Sequence, residues 1–138
     1  MPSLPAGDGV SVVEFYERCR RDGDLLHLVV ASRADDGYLG EAMVALGEHE
    51  VGEVGCCLVP GARGRGIALE TLRLLTDWAF ATLGLRRVQA FVAPENVAAL
   101  RLAERAGFRR EGVLRSYWEA DGARLDAVVL SRLPEDPR

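Results

Sequence analysis

A glycine-rich turn between an apolar segment and an amphipathic helix is the feature that most constrains this chain. Gly64 and Gly66 close the turn, and helical periodicity starts at Ile67. Glycines allow a ligand to approach the backbone closely, and the first turn of a helix presents N–H groups without partners inside the helix. Arg63 and Arg65 add positive charge at the same place. The turn therefore predicts a binding site for a phosphate group.

Two common phosphate-binding motifs are excluded by the residues around these glycines. No Gly-Lys-Ser/Thr follows them, so the lysine and the magnesium-binding hydroxyl of a P-loop are missing. The third glycine of a dinucleotide fingerprint is replaced by Leu69. The turn is thus expected to hold a different phosphate-containing ligand.

The bulk composition limits the size, the partners and the location of the protein. A chain of 138 residues that is 49% hydrophobic suits a single domain, which we predict over residues 11–138 after a mobile leader over residues 1–10. The net charge of -4 argues against a nucleic-acid partner. Because no apolar run could span a bilayer and the first residues do not resemble a signal peptide, we predict a cytoplasmic protein without a membrane partner.

The three cysteines do not form a recognisable framework. Cys19, Cys56 and Cys57 give an odd number, and the adjacent pair lacks the spacing of a metal site. Neither a disulfide nor a bound metal is therefore predicted.

Periodicity and turn residues predict three consecutive antiparallel strands, then a helical crossover and a closing hairpin. Asn96 is a natural N-cap, Gly84 and Gly107 are typical of helix ends, and Asp121-Gly122 favours a tight turn. The predicted helices cover Val12–Arg21, Ile67–Leu83 and Val97–Ala106, and the predicted strands cover Leu25–Ala31, Tyr38–Leu46, Val51–Val59, Arg86–Ala93, Phe108–Tyr117 and Arg124–Leu133.

Two segments resemble the conserved blocks of the GNAT superfamily of N-acetyltransferases. Arg63-Gly-Arg-Gly-Ile-Ala68 resembles the Gln/Arg-x-x-Gly-x-Gly/Ala signature, and residues 94–112 look like the second block. With residues 114–122 included, the chain is most similar to the RimJ/RimL type, which acetylates the N-termini of ribosomal proteins. The resemblance implies an α/β fold with a central mixed, mainly antiparallel sheet, splayed middle strands and flanking helices.

The resemblance also implies acetyl-CoA as the cosubstrate and a primary amine as the acceptor, either a protein N-terminus or a small amine. The amine would attack bound acetyl-CoA directly, with both substrates present together. The pantetheine would lie beside Cys57, Leu58 and Val59, and the amide of Leu58 would stabilise the oxyanion. The pyrophosphate would bind the turn, at Arg63, Gly64, Arg65, Gly66, Ile67 and Ala68. Asn96 is explained equally well by cofactor contact and by helix capping.

Several residues are candidates for the proton-transfer groups. The positions at which the family often carries an acid hold Ala99 and Ala103, so Tyr117, Cys57 or solvent must protonate the departing thiolate. For the general base, Glu53 is the first candidate and Glu41 the second, although either is equally well explained as a solvent-facing carboxylate. No histidine near the cysteines supports covalent acyl transfer.

Two further expectations concern the whole chain. The alanines at the acid positions favour an alternative function, in which the chain is a non-catalytic domain that binds acyl-CoA or has a regulatory role. Only 24 residues precede Leu25, so we expect the first strand of the family to be missing. An exposed sheet edge and an open acceptor groove would then favour a symmetric homodimer at the acceptor side.

Overall fold

The computed structural model describes residues 13–17, 25–64 and 66–137, which form one seven-stranded mixed sheet and two α-helices. A short 3₁₀ turn, Pro60–Ala62, follows the fourth strand. The elements in chain order are β1 Val13–Glu17, β2 Leu25–Ser32, β3 Tyr38–Leu46, β4 Val51–Leu58, α1 Ile67–Ala81, β5 Arg87–Val92, α2 Val97–Arg105, β6 Arg109–Ala120 and β7 Ala123–Arg132.

The sheet order is β1-β2-β3-β4-β5-β7-β6, and every neighbouring pair is antiparallel except β4 and β5. Helix α1 supplies the crossover between the two parallel strands, which need a long connection. The predicted central mixed, mainly antiparallel sheet is therefore confirmed.

Local turn chemistry positions the hairpins and the helix ends. Asp121 and Gly122 both have positive φ, 50° and 79°, as a two-residue turn of type I′ requires, so the predicted closing hairpin is confirmed. The side chain of Asn96 accepts a hydrogen bond from the backbone N–H of Ala99 at 3.2 Å, which confirms it as an N-cap. Helix α1 ends two residues earlier than predicted, because Thr82 and not Gly84 is its C-cap.

The first described strand corrects two predictions. The helix predicted over Val12–Arg21 is wrong for residues 13–17, which form β1 antiparallel to β2, with Val13 opposite Ser32. Valine, phenylalanine and tyrosine favour strands, and pairing satisfies the backbone groups that β2 would otherwise expose at its edge. The expectation of a missing first strand is also wrong for the same reason. The leader and residues 18–24 lie outside the described part of the chain.

The core fills the space between one face of the sheet and the two helices. The central strands contribute fully buried side chains such as Leu28, Val44 and Val88, and α1 contributes the predicted stripe at Leu72, Leu75 and Ala79. Helix α2 packs on the same side through Leu100 and Ala103. None of the described helices is long and apolar enough to cross a membrane.

The opposite face of the sheet carries no helix in the described ranges, and we call it the open face. Side chains alternate between the two faces of a strand, so the neighbours of the core positions point to the open face. Along the middle of β2, β3, β4 and β5, these residues are half-buried or exposed, and none belongs to the core. The open face includes His27, Val29, Glu41, Met43, Glu53, Cys57, Gln89 and Phe91.

Candidate active site

Strands β4 and β5 separate in the middle of the sheet. Their ladder covers only Val51–Glu53 on β4 and Arg87–Gln89 on β5. Beyond it, β4 continues to Leu58 against β3, and β5 continues to Val92 against β7. A gap with unpaired backbone edges therefore opens between them, as the predicted splay of the middle strands requires.

The backbone of Leu58 faces this gap. The N–H of the next residue, Val59, donates to the carbonyl of Leu39 on β3 at 2.9 Å. Successive residues of a strand direct their backbone groups to opposite edges, so the N–H of Leu58 points away from β3 and toward β5. Its carbonyl accepts a hydrogen bond from Arg63 Nε at 3.4 Å. The amide N–H at the end of β4 is thus positioned as a hydrogen-bond donor inside the gap.

The glycine-rich turn connects the gap to the N-terminus of α1. Gly64 and Gly66 have φ of 75° and 74°, a left-handed conformation that favours glycine. A Cβ at either position would have no neighbour within 4 Å, so the backbone there is open to a ligand. Gly66 is the N-cap residue of α1 and provides no side-chain cap, which leaves N–H groups of the first turn available. These features fit a bound pyrophosphate.

The other residues predicted to bind the cofactor surround the turn. The Arg63 side chain is exposed, and its bond to the Leu58 carbonyl through Nε leaves the two terminal nitrogens of the guanidinium available. Ile67 is buried in the core and Ala68 is half-buried, so their side chains face the protein, and only their backbone N–H groups could face a ligand. Arg65 lies outside the described residues.

Two carboxylates lie on the open face at different distances from Leu58. Glu53 occupies the last rung of the β4–β5 ladder, five residues before Leu58, which corresponds to about 16 Å along a strand. Glu41 is directly opposite Cys57, the residue next to Leu58, at a typical Cβ separation of about 5 Å. The β3–β4 register therefore brings Glu41 much closer to the end of β4 than Glu53. This difference was not evident from the sequence, which does not define the register.

The environments of the two carboxylates also differ. Burial raises the pKa of the Glu53 carboxyl above its usual value, and among the described residues it has no hydrogen bond or ion pair. Glu41 accepts a hydrogen bond from the Tyr38 hydroxyl at 3.1 Å. Both groups contribute negative charge to the open face, which suits a positively charged ligand.

The cysteines and alanines of the site have limited chemistry. Cys57 is exposed, and Cys56 is partly buried among core residues. Burial raises the pKa of the Cys56 thiol, and the neighbouring Cys57 adds to the increase. A raised pKa lowers the thiolate fraction and hence nucleophilicity. Ala103 is buried against the core, and neither it nor Ala99 carries a proton donor.

An aromatic group that the sequence did not indicate lies beyond the gap. The ring of Tyr117 on β6 stacks on that of Phe91 on β5, with centroids 5.0 Å apart and an interplanar angle of 13°. Trp118 contacts Tyr117 edge-on at 5.9 Å. Phe91 is two residues past the last β4–β5 rung, so the stack lies beside the open part of the gap. Only the pairing of distant strands brings these rings together.

Comparison with known proteins identifies the family. The family described as the acetyltransferase (GNAT) domain matches residues 8–109. The probable N-acetyltransferase YjcK of Bacillus subtilis is 32% identical over 133 residues, which cover 94% of this chain and 73% of that protein. The N-alpha-acetyltransferase RimI of Mycobacterium tuberculosis is 40% identical over 90 residues, which cover 65% of this chain and 52% of RimI.

A solved structure shares the fold. The spermidine N-acetyltransferase of Vibrio cholerae, in complex with CoA and spermine, superimposes with a TM-score of 0.76 at 24% identity. The match covers 84% of this chain and 69% of that chain. The family match extends from the first strand to the start of β6 and includes the gap and the glycine-rich turn. The chain belongs to the GNAT family and is an acetyl-CoA-dependent N-acetyltransferase that transfers the acetyl group to an amine.

Proposed function

We propose that acetyl-CoA binds with its pantetheine between β4 and β5 and its pyrophosphate at the N-terminus of α1. The observation that carries the proposal is the ladder of only three rungs between the two strands, which leads into an open glycine-rich turn. Cys57, Leu58 and Val59 are the proposed pantetheine contacts. Arg63, Gly64, Arg65, Gly66, Ile67, Ala68 and Asn96 are the proposed contacts of the phosphate-bearing part.

The amide of Leu58 is the proposed oxyanion donor. A backbone N–H directed into the gap is already fixed by the β3–β4 ladder, so it needs no rearrangement as negative charge develops on the thioester oxygen. Cys57 and Val59 act here only through their backbone. Their side chains are therefore expected to tolerate substitution better than the glycines of the turn.

A carboxylate on the open face is the proposed general base. An amine is protonated at neutral pH and must lose a proton before its nitrogen attacks the acetyl carbon. Glu53 suits this role through its raised pKa and its lack of a partner among the described residues, but it would need intervening water because of its distance from Leu58. Glu41 is the nearer alternative, and its bond to Tyr38 orients the carboxylate.

The departing thiolate must then gain a proton as the carbon–nitrogen bond forms and the carbon–sulfur bond breaks. Tyr117 is the proposed donor because its hydroxyl belongs to an aromatic group beside the gap, and Cys57 and solvent are the alternatives. Direct attack in a ternary complex is supported by the poor nucleophilicity expected of Cys56. No acyl group needs to reside on the protein.

The acceptor proposed first is the exposed N-terminus of a protein, as for the RimJ/RimL type. Residues 114–122 resemble that type, and an N-alpha-acetyltransferase is among the similar proteins. A small amine is the second candidate, supported by the fold shared with a protein that binds CoA and spermine. The negative charges of Glu41 and Glu53 on the open face suit both acceptors.

Release of CoA thiol tests the proposal. The native protein and its Glu41→Gln and Glu53→Gln variants are incubated with acetyl-CoA and either spermine or a short peptide with a free N-terminus. We expect turnover with at least one amine. The variant that lacks the general base should lose more kcat at neutral pH than the other variant. Its kcat should recover at alkaline pH, where the amine is already deprotonated. Acetyl-CoA binding without turnover of any amine would contradict the proposed reaction.

A further inference from the structure

Strand β6 contains a large bulge that is absent from its partner. Leu114 is opposite Ala127 and Trp118 is opposite Leu125. Three residues of β6 lie between these pairs, whereas Asp126 is the one residue between them on β7. Bulges next to active sites often redirect a side chain. The extra residues of β6 include Tyr117, the residue that stacks on Phe91.

Two side chains of β7 hold the tip of this bulge. Ser116 has a left-handed φ of 51°, which is uncommon for a residue other than glycine. Its N–H donates to Asp126 Oδ1 at 2.8 Å, and its carbonyl accepts a hydrogen bond from an Arg124 terminal nitrogen at 2.6 Å. Both backbone groups of Ser116 are therefore satisfied by β7 side chains. We call Arg124 and Asp126 the bulge clamp.

The clamped bulge places an aromatic face beside the gap. Tyr117 is 45% exposed although its ring stacks on Phe91 and contacts Trp118, so part of its surface is available to a ligand. Across the gap, β3 and β4 present Glu41 and Glu53 on the same face of the sheet. Aromatic rings attract cations through their π faces, and carboxylates attract them by charge. The open face thus combines two features that favour cationic ligands.

The reacting amine must be uncharged when it attacks, so it gains little from these features at that moment. A second positive charge on the same substrate would benefit from them throughout the reaction. Building on the proposed function, we propose that the Phe91–Tyr117 stack binds a second cationic group of the acceptor. Arg124 and Asp126 are positioning residues that hold Tyr117 in place.

Steady-state kinetics with two matched probes tests this inference. Butane-1,4-diamine carries a second charge, and butylamine has the same carbon chain without it. We expect a lower KM for the diamine in the native protein. The Tyr117→Leu variant should raise the KM of the diamine about tenfold relative to the KM of butylamine, whatever the loss of kcat that both probes share. Tyr117→Phe should keep the low diamine KM whatever its kcat, because it retains the ring.

The bulge clamp is tested with the Asp126→Ala variant and with the double variant Asp126→Ala/Tyr117→Leu. Asp126→Ala should raise the diamine KM, and combining it with Tyr117→Leu should add nothing, because both changes remove the same aromatic contact. Val113→Thr, an exposed β6 position before the bulge, is the matched control and should leave KM unchanged.

The outcomes separate this inference from the proposed function. An unchanged diamine KM in both Tyr117→Leu and Asp126→Ala would overturn the inference while amine acetylation stands. If Tyr117→Leu does not fold, Asp126→Ala alone decides, because its side chain is exposed. No turnover of the two probes, of spermine or of the peptide by the native protein would overturn both proposals.

Discussion

Replacement of Gly40 by alanine tests how tightly the sheet fixes the end of β4. Gly40 on β3 is opposite Leu58 on β4. A Cβ on Gly40 would lie 2.2 Å from the carbonyl oxygen of Cys57 and 2.8 Å from the Cα of Leu58, both below the 3.0 Å that real Cβ contacts essentially never cross. Both opposing atoms belong to the backbone and cannot rotate away. The two strands must therefore separate by about 1 Å to accommodate one methyl group.

This displacement acts on the proposed oxyanion donor. Overpacking of this kind costs roughly 1–3 kcal/mol of stability, which leaves most domains folded at 25 °C. A misplacement of about 1 Å in a catalytic group can reduce the rate by about 100-fold. We therefore expect Gly40→Ala to remain folded but to lose about two orders of magnitude in kcat/KM for acetyl-CoA.

Gly55→Ala is the matched control in the neighbouring strand. A Cβ on Gly55 would meet the Met43 side chain at 3.5 Å, which is an ordinary van der Waals contact. Both variants are compared by thermal denaturation and by CoA release at a temperature well below their midpoints. Equal kcat/KM values for the two folded variants would refute the argument that Gly40 positions the β4 backbone.

Three further predictions concern the cofactor, the pH dependence of stability and the oligomeric state. Gly66→Val should weaken acetyl-CoA binding in calorimetry at least tenfold, because φ of 74° excludes a β-branched residue and the added side chain obstructs the backbone; unchanged affinity would contradict the proposed pyrophosphate site. Burial raises the pKa of Glu53 above its unfolded value, so the folded state binds this proton more tightly. The resulting stabilisation is present at low pH and is lost as pH rises through the folded pKa. Glu53→Gln should therefore raise Tm at pH 7 more than at pH 4, and a uniform shift would oppose this explanation. A symmetric homodimer at the acceptor side also stays a prediction, although β1 removes the missing strand that favoured it, and light scattering that gives the mass of one chain would contradict it.

Features encoded by neighbouring residues were predictable from the sequence. The glycine-rich turn, the Asn96 cap and the Asp121-Gly122 turn each depend on the conformational preferences of one or two residues. Their positions follow directly from the chain, and so does the location of α1. The family resemblance added the splay of β4 and β5, which no local pattern specifies.

Features that depend on strand pairing were not predictable in the same way. The helical spacing of apolar residues in Val12–Arg21 suggested a helix. Residues 13–17 instead form a strand, because the edge of β2 is available for pairing. Because strand pairing was not known from the sequence, the two candidate general bases were also ranked without their distances from the end of β4. Glu53 was preferred because it lies on the strand that faces the acceptor side. The register that places Glu41 opposite Cys57 is a property of two strands together.

The β6 bulge illustrates why the acceptor side is the least predictable part of the site. Ser116 adopts a left-handed backbone conformation, which a sequence usually indicates by a glycine, yet no glycine is present there. The conformation is instead stabilised by Arg124 and Asp126, which read as ordinary charged residues of an exposed strand. Their effect on Tyr117 emerges only when β6 and β7 pair. The proposed cofactor site, built from backbone groups, follows from local sequence, but the proposed acceptor site, built from side chains of four strands, depends on the register of the sheet.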